Sequence, residues 1–246
     1  MHVERGSRRD LAVCASETLS AIEKEAAMAA PYQRTEPPIR SESSVPPAAG
    51  WRPADPAPLG LAGFAMTTFV LSMFNSNLVG PGGTPVVLGL ALAYGGLVQL
   101  LAGLWEFRTG NTFGAVAFCS FGAFWISFWA LNVFYAKAIT GNVGHALGVY
   151  LWAWAIFTAY MTVAALRVSA AVLLVFVLLT VTFVLLAIGA DGAHKSVTEA
   201  GGYVGLATAV AAWYASFAAV VNSTFRRVIM PVIPLAPGVP AEMPER

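Results

Sequence analysis

Six long apolar runs dominate the chain, at residues 59–79, 85–105, 113–134, 147–166, 169–189 and 202–222. Each holds 20–22 residues, and none alternates apolar and polar positions with the period of two expected of a barrel strand. At ~1.5 Å per residue, each is long enough as a helix to cross a ~30 Å hydrocarbon layer. The segments between them are GPGGT (80–84), RTGN (108–111), KAITGN (137–142) and GADGAHKSVTEAGG (189–202), all rich in turn formers. In lipid only helices and closed barrels satisfy every backbone polar group. The pattern predicts an all-α membrane protein of six transmembrane helices.

Charge placement sharpens this division. Of the 27 Lys, Arg, Asp and Glu residues, 15 precede Ala57, five follow Thr224, and seven fall in the 168 residues between. The chain divides into a Pro-, Ser- and charge-rich tail over 1–54, a six-helix unit over 55–228 and a Pro-rich tail over 229–246. Residues 10–29 can form a short helix, and Met28 is a second candidate start. The first fifty residues lack the apolar core of a signal peptide. Arg40, Arg52, Arg108, Arg167, Arg226 and Arg227 lie on the side of the tails, against Lys137 and Lys195 opposite. That excess places both termini in the cytoplasm. A net charge of +1 gives no reason to expect nucleic acid. Cys14 and Cys119 form neither a disulfide framework nor a metal-ligand spacing, and no cofactor motif is present.

Polar side chains inside spans need partners or a cavity. Phe64, Thr68, Ser72 and Asn75 step by four, four and three along the first span, so they share a face, with Thr67 and Asn77 beside it. In the second span Gln99 and Glu106 are seven apart on one face. Glu106 reads either as an interfacial ion pair with Arg108 or as a proton-handling group at a pathway mouth. Gly89, Gly96 and Gly103 line one stripe suited to close helix packing. Phe121, Trp125, Phe128 and Asn132 form an aromatic face on the third span, which reads as helix contact. With both tails inside, spans one, three and five start at the cytoplasmic face. Their positive dipole ends and unpaired N–H groups suit an anion. Asn111 and Thr112 can cap the third span. In DPAPLG, Asp55 can cap the first while Pro56 and Pro58 fix its entry.

DPAPLGLAGFAMTT resembles the N-P-A-P-L-G-L signature of the acetate uptake transporter family. The likeness continues through AYGGLVQLLAGLWEFRTGNTFGAVAFCSFGAFW (93–125), LGVYLWAWAIFT (147–158) and LTVTFVLLAIG (179–189), covering about residues 55–232. The resemblance implies a homohexamer in the cell membrane, one pathway per protomer, and movement of acetate and often succinate with protons. It implies an apolar constriction at Phe64, Phe121 and Leu179, and a position tied to substrate choice at Ala212. Two residues depart from the family pattern: Asp55 replaces an Asn, and Phe121 replaces the constriction's Tyr. A passive acetate or small-solute channel is the alternative function. An intramembrane enzyme finds no nucleophile–base constellation, and a sensor or scaffold finds no motif in the tail.

Overall fold

The computed structural model describes residues 53–236 together with Lys24, so the tail expected over 1–54 lies almost wholly outside the described residues. Six helices are long and apolar enough to cross a membrane: α1 Ala57–Asn75, α2 Pro85–Thr109, α3 Thr112–Ala138, α4 Val143–Ala165, α5 Ala170–Asp191 and α6 Lys195–Phe225. Helix α1 stops four residues short of its apolar run, because Asn77 turns left-handed at φ 59°. Helix α6 starts seven residues before its apolar run, on a first turn braced by a Lys195–Glu199 pair at 3.5 Å.

The helix ends follow from local side-chain chemistry. Asp55 accepts the Ala57 N–H through Oδ1 at 2.9 Å. Asn111, Asn142 and Ser169 cap α3, α4 and α5 by accepting the N–H groups of Gly114, His145 and Val172. Gly110 ends α2 at φ 78°, a conformation open to glycine without steric cost, and Asn111 then starts α3 at once. The RTGN tetrapeptide is therefore a complete helix–helix reversal. On the opposite side of the bundle, His145 Nδ1 meets Asp191 Oδ1 and ties the start of α4 to the end of α5.

Helix α1 packs along α6, α6 along α5, and α5 along α4, while α2 pairs with α3. Helices α3 and α4 scarcely touch through their backbones, and rings fill the space between them. A bond from Ser216 Oγ to the Pro58 carbonyl, 2.7 Å long, holds α6 to the first turn of α1. Two π-helical turns, which the apolar pattern does not disclose, interrupt α2 at Ala93–Val98 and α3 at Leu131–Tyr135. The first lies where α2 crosses α1. A Cβ on Gly63 would sit 2.7 Å from the Tyr94 carbonyl oxygen, and one on Gly95 would sit 2.8 Å from Thr67 Cβ. The glycine stripe on α2 is used only in part. Gly96 and Gly103 press against α3, whereas Gly89 is exposed with open space before it.

The chain does not leave the bundle at residue 228. Residues 229–235 turn back and bond to α5 and α6, so the ordered structure runs past the expected start of the C-terminal tail.

The α1–α2 crossing leaves no room for a larger residue at Gly63. Gly63→Val should cost roughly 1–3 kcal/mol by overpacking against backbone, read as a fall of several degrees in detergent melting temperature. An unchanged melting point would mean that the two helices are free to separate there.

Candidate functional site

Three small cavities run in sequence through the bundle. The inner one, of about 70 Å³, lies at the starts of α1, α3 and α5 and is lined by Ala57, Asn111, Gly114, Val168 and Val172, among others. A middle one of about 20 Å³ shares Leu61, Ala117, Phe118 and Phe176 with it and adds Phe64, Gln99, Phe121 and Leu179. An outer one of about 30 Å³ shares Phe64 and Leu179 with the middle cavity and adds Thr68, Ser72, Asn75, Trp125 and Thr182. Phe64 and Leu179 thus stand between the middle and outer cavities. Roughly 10–15 Å³ is needed for one water, so each of these two has room for about one or two waters.

Phe121 is the centre of the ring packing. Its centroid lies 5.7 Å from Phe64, 5.4 Å from Phe157, 6.0 Å from Phe176 and 6.5 Å from Phe183. Phe64, Phe121 and Leu179 are all nearly fully buried. Aromatic pairs of this kind contribute ~0.5–1.5 kcal/mol beyond area burial, so these rings form a well-tied cluster.

The polar residues divide by their partners. Thr68 Oγ1 and both polar atoms of the Gln99 amide are buried without a hydrogen-bond partner among the described residues, and so is Trp125 Nε1. Gln99 lines the middle cavity, and Thr68 and Trp125 the outer one. Ser72 and Asn75 share the outer cavity with them. Thr67 instead donates to the Gly63 carbonyl at 2.9 Å and packs at the α1–α2 crossing, away from the cavities. Asn111 lines the inner cavity, while Thr112 is exposed at the start of α3. Ala212 is fully buried in the core and lines none of the three cavities.

Glu106 points inward. Only 1% of it is exposed, whereas Arg108 is exposed, and no ion pair joins them among the described residues. The ion-pair reading is therefore corrected: two residues along a helix turn the side chains to nearly opposite faces. Glu106 Oε2 accepts from Thr109 Oγ1 at 3.1 Å, and Oε1 has no hydrogen-bond partner among the described residues. Gly114 makes space for this carboxyl, since a Cβ there would lie 2.8 Å from Oε1. Gly114 and Asn111 belong to the inner cavity, so Glu106 sits behind its wall.

The expectation of unpaired N–H groups at the starts of α1, α3 and α5 holds only in part. Asp55, Asn111 and Ser169 each occupy one of these donors. The Val232 and Ile233 carbonyls take two more, from Ala171 and Ala170. The helix dipoles still converge on the inner cavity. Asp55 itself is exposed at the α1 start.

The sequence reading missed Trp125 as a cavity residue, having assigned its face to helix contact. It also missed Thr182, Phe176 and Phe183. Thr182 and Phe183 lie in LTVTFVLLAIG, where Leu179, Thr182 and Phe183 recur at helical spacing, and that spacing was a usable signal.

Comparison with known proteins agrees with this architecture. The GPR1/FUN34/yaaH family matches residues 41–237. The chain is 47% identical over 173 residues to Ammonia transport outward protein 2 of Saccharomyces cerevisiae, covering 68% of this chain and 61% of the relative. It is 38% identical over 180 residues to the Escherichia coli Succinate-acetate/proton symporter SatP, covering 73% of this chain and 95% of that one. The chain thus spans under two thirds of the yeast relative's length and nearly all of the bacterial one. A solved structure, described as that of the bacterial acetate channel SatP, superposes with a TM-score of 0.69 at 38% identity over 74% of this chain and 99% of that one. The chain belongs to the GPR1/FUN34/yaaH family, the acetate uptake transporter family that its motifs indicated, and is a multi-pass membrane protein.

Proposed function

We propose that this protein moves acetate through the three-cavity line of each protomer, with succinate as a larger second substrate, and that it does so with a proton. The carrying observation is the set of unpartnered polar groups on both sides of Phe64 and Leu179: the Gln99 amide on one, Thr68 Oγ1 and Trp125 Nε1 on the other. Trp125 Nε1 donates only, and the other two both donate and accept. A donor-rich lining favours a carboxylate over ammonium, which brings donors alone. The names of the bacterial relatives, a succinate-acetate/proton symporter and an acetate channel, support the same cargo.

In this reading Phe64, Phe121 and Leu179 are the constriction. Thr68, Ser72, Asn75 and Gln99 hand the carboxylate across it, and Asn111 lies at the inner entrance. Thr67 and Ala212 act on helix packing around the pathway, and Thr112 lies beside Asn111 at the start of α3. Asp55 sets the charge at the mouth, and Glu106 handles the proton. Transport belongs to residues 55–228 with the segment that follows them to 236. The tails lie in the cytoplasm and the protein in the cell membrane, supported by the six-to-two count of cationic residues. The homohexamer rests on the resemblance. A passive acetate channel is the second reading, because the solved bacterial structure carries the word channel.

Labelled-acetate uptake into proteoliposomes, with and without an imposed proton gradient and with empty liposomes subtracted for acetic acid leak, tests this. Gradient-driven accumulation above the leak is expected; uptake that merely equilibrates supports the channel, and no uptake sinks both readings. A hydrogen bond to a charged group contributes ~1.5–3 kcal/mol, so Gln99→Leu should slow acetate flux roughly 10–100-fold. Unaltered flux would remove Gln99 from the path.

Glu106→Gln keeps the size and a hydrogen-bonding end but cannot release a proton. Its expected signature is acetate uptake that no longer responds to pH. A wild-type pH response in this variant would assign the proton elsewhere.

A further inference from the structure

Residues 229–235 form a strap between the inner ends of α6 and α5. Asn222, on the last turns of α6, anchors one end. Its Oδ1 accepts from the Ile229 and Met230 N–H groups at 2.7 and 2.9 Å, and its Nδ2 donates to the Met230 carbonyl at 2.8 Å. Tyr214 donates through its hydroxyl to the Pro231 carbonyl at 2.7 Å. The other end pairs with the start of α5: Ala170 N–H to the Ile233 carbonyl at 2.8 Å, Ala171 N–H to Val232, and Leu235 N–H to the Val168 carbonyl at 3.2 Å. Ile233 holds φ at 51°, which a β-branched residue adopts only where its surroundings dictate it.

Two facts link this strap to the pathway. Val168 and Val172, on either side of the strap's bonds to α5, line the inner cavity. Beside the strap, side chains from Ala170 to Leu178 on α5 and from Leu206 to Tyr214 on α6 leave an apolar groove of about 760 Å³. Pro231, Val232 and Ile233 of the strap line the same groove, so the strap ties α5 to α6 along an edge that their side chains leave open.

We propose that Asn222 is a positioning residue for substrate size. Through the strap it fixes the α5 wall of the inner cavity and so sets how large a carboxylate enters, an inference that rests on the transport reading above. Loss of the strap lets the start of α5 move outward, and the longer dicarboxylate gains most.

Two variants cut the strap at opposite ends. Asn222→Ala removes its anchor. Ala170→Pro deletes the N–H that meets Ile233, yet suits the first helical position, and Ser169 before it is already extended at φ −154°, ψ 158°. Asn222→Asp keeps the acceptor for both N–H groups. Initial rates for labelled acetate and succinate in proteoliposomes should show a severalfold higher succinate-to-acetate ratio in both cut variants, and a near wild-type ratio in Asn222→Asp. Wild-type acetate flux with an unchanged ratio in both cut variants overturns the strap's role, whereas absent wild-type flux overturns the transport reading itself. Amide hydrogen exchange in the first turn of α5 should quicken in Asn222→Ala. Unchanged exchange there also overturns the proposal, whether or not transport is seen.

Discussion

Hydrocarbon cannot hydrogen-bond, and that constraint organises this molecule. A buried hydroxyl or amide must find a partner within the protein or lose roughly 1–3 kcal/mol. Most of the buried threonines comply by bonding back one helical turn: Thr67 to Gly63, Thr158 to Trp154, Thr182 to Leu178 and Thr208 to Val204. Thr182 and Thr208 also meet each other across α5 and α6 at 3.2 Å. Against that rule, the exceptions are informative. Among the described residues, the buried side-chain atoms without partners belong to Thr68, Gln99, Glu106 and Trp125. Three of these residues line the narrow cavities, and the fourth sits behind the wall of the inner one. Unmet polar capacity is concentrated where a polar cargo would pass.

The aromatic cluster supplies the opposite property. Phe121 touches rings from α1, α4 and α5, so the neck is held by three helices besides its own. A phenyl ring at this position offers no hydroxyl, so the unpartnered polar groups nearest it are the Gln99 amide on one side and Thr68 Oγ1 on the other. The starts of α1, α3 and α5 add a field with few free donors. Caps and the strap occupy N–H groups at the starts of α1, α3 and α5, yet the dipoles still point their positive ends there. In the proposed transport, attraction at that end is therefore mainly long-range, and direct recognition falls to Gln99 and Thr68.

Much of this was legible in the sequence. Continuous apolar runs with turn residues between them give six helices, because spanning lipid leaves few alternatives. The spacing of Phe64, Thr68, Ser72 and Asn75 gives one face, and that face lines the outer cavity. What remained illegible depends on which way a side chain turns in three dimensions. Glu106 and Arg108 are two residues apart, and only the helix direction reveals that one is buried and the other exposed. Trp125 looked like a packing residue because aromatic faces pack and line cavities with the same spacing. The strap was hidden for a different reason. Its Pro-rich composition signals the absence of helix, and says nothing of backbone bonds to a neighbour over sixty residues away in sequence.

The size of the neck bears on how charge crosses it. The cavities flanking Phe64 and Leu179 have room for only a water or two, so in the proposed transport an entering carboxylate sheds most of its hydration. Desolvating an ion costs several kcal/mol even after the protein relaxes. Two charge-assisted hydrogen bonds, at ~1.5–3 kcal/mol each, offset much of that. They cannot act together on both sides of the phenyl rings, because Gln99 and Thr68 lie in different cavities. On the proposed path an anion would hold fewer bonds at the midpoint than at either side, which would make the midpoint its barrier. Joining a proton to the carboxylate removes the ionic desolvation cost where the protein offers least in return. A neck lined by rings, with polar groups only at its flanks, therefore suits a cargo that crosses neutral and is recognised as an anion on either side.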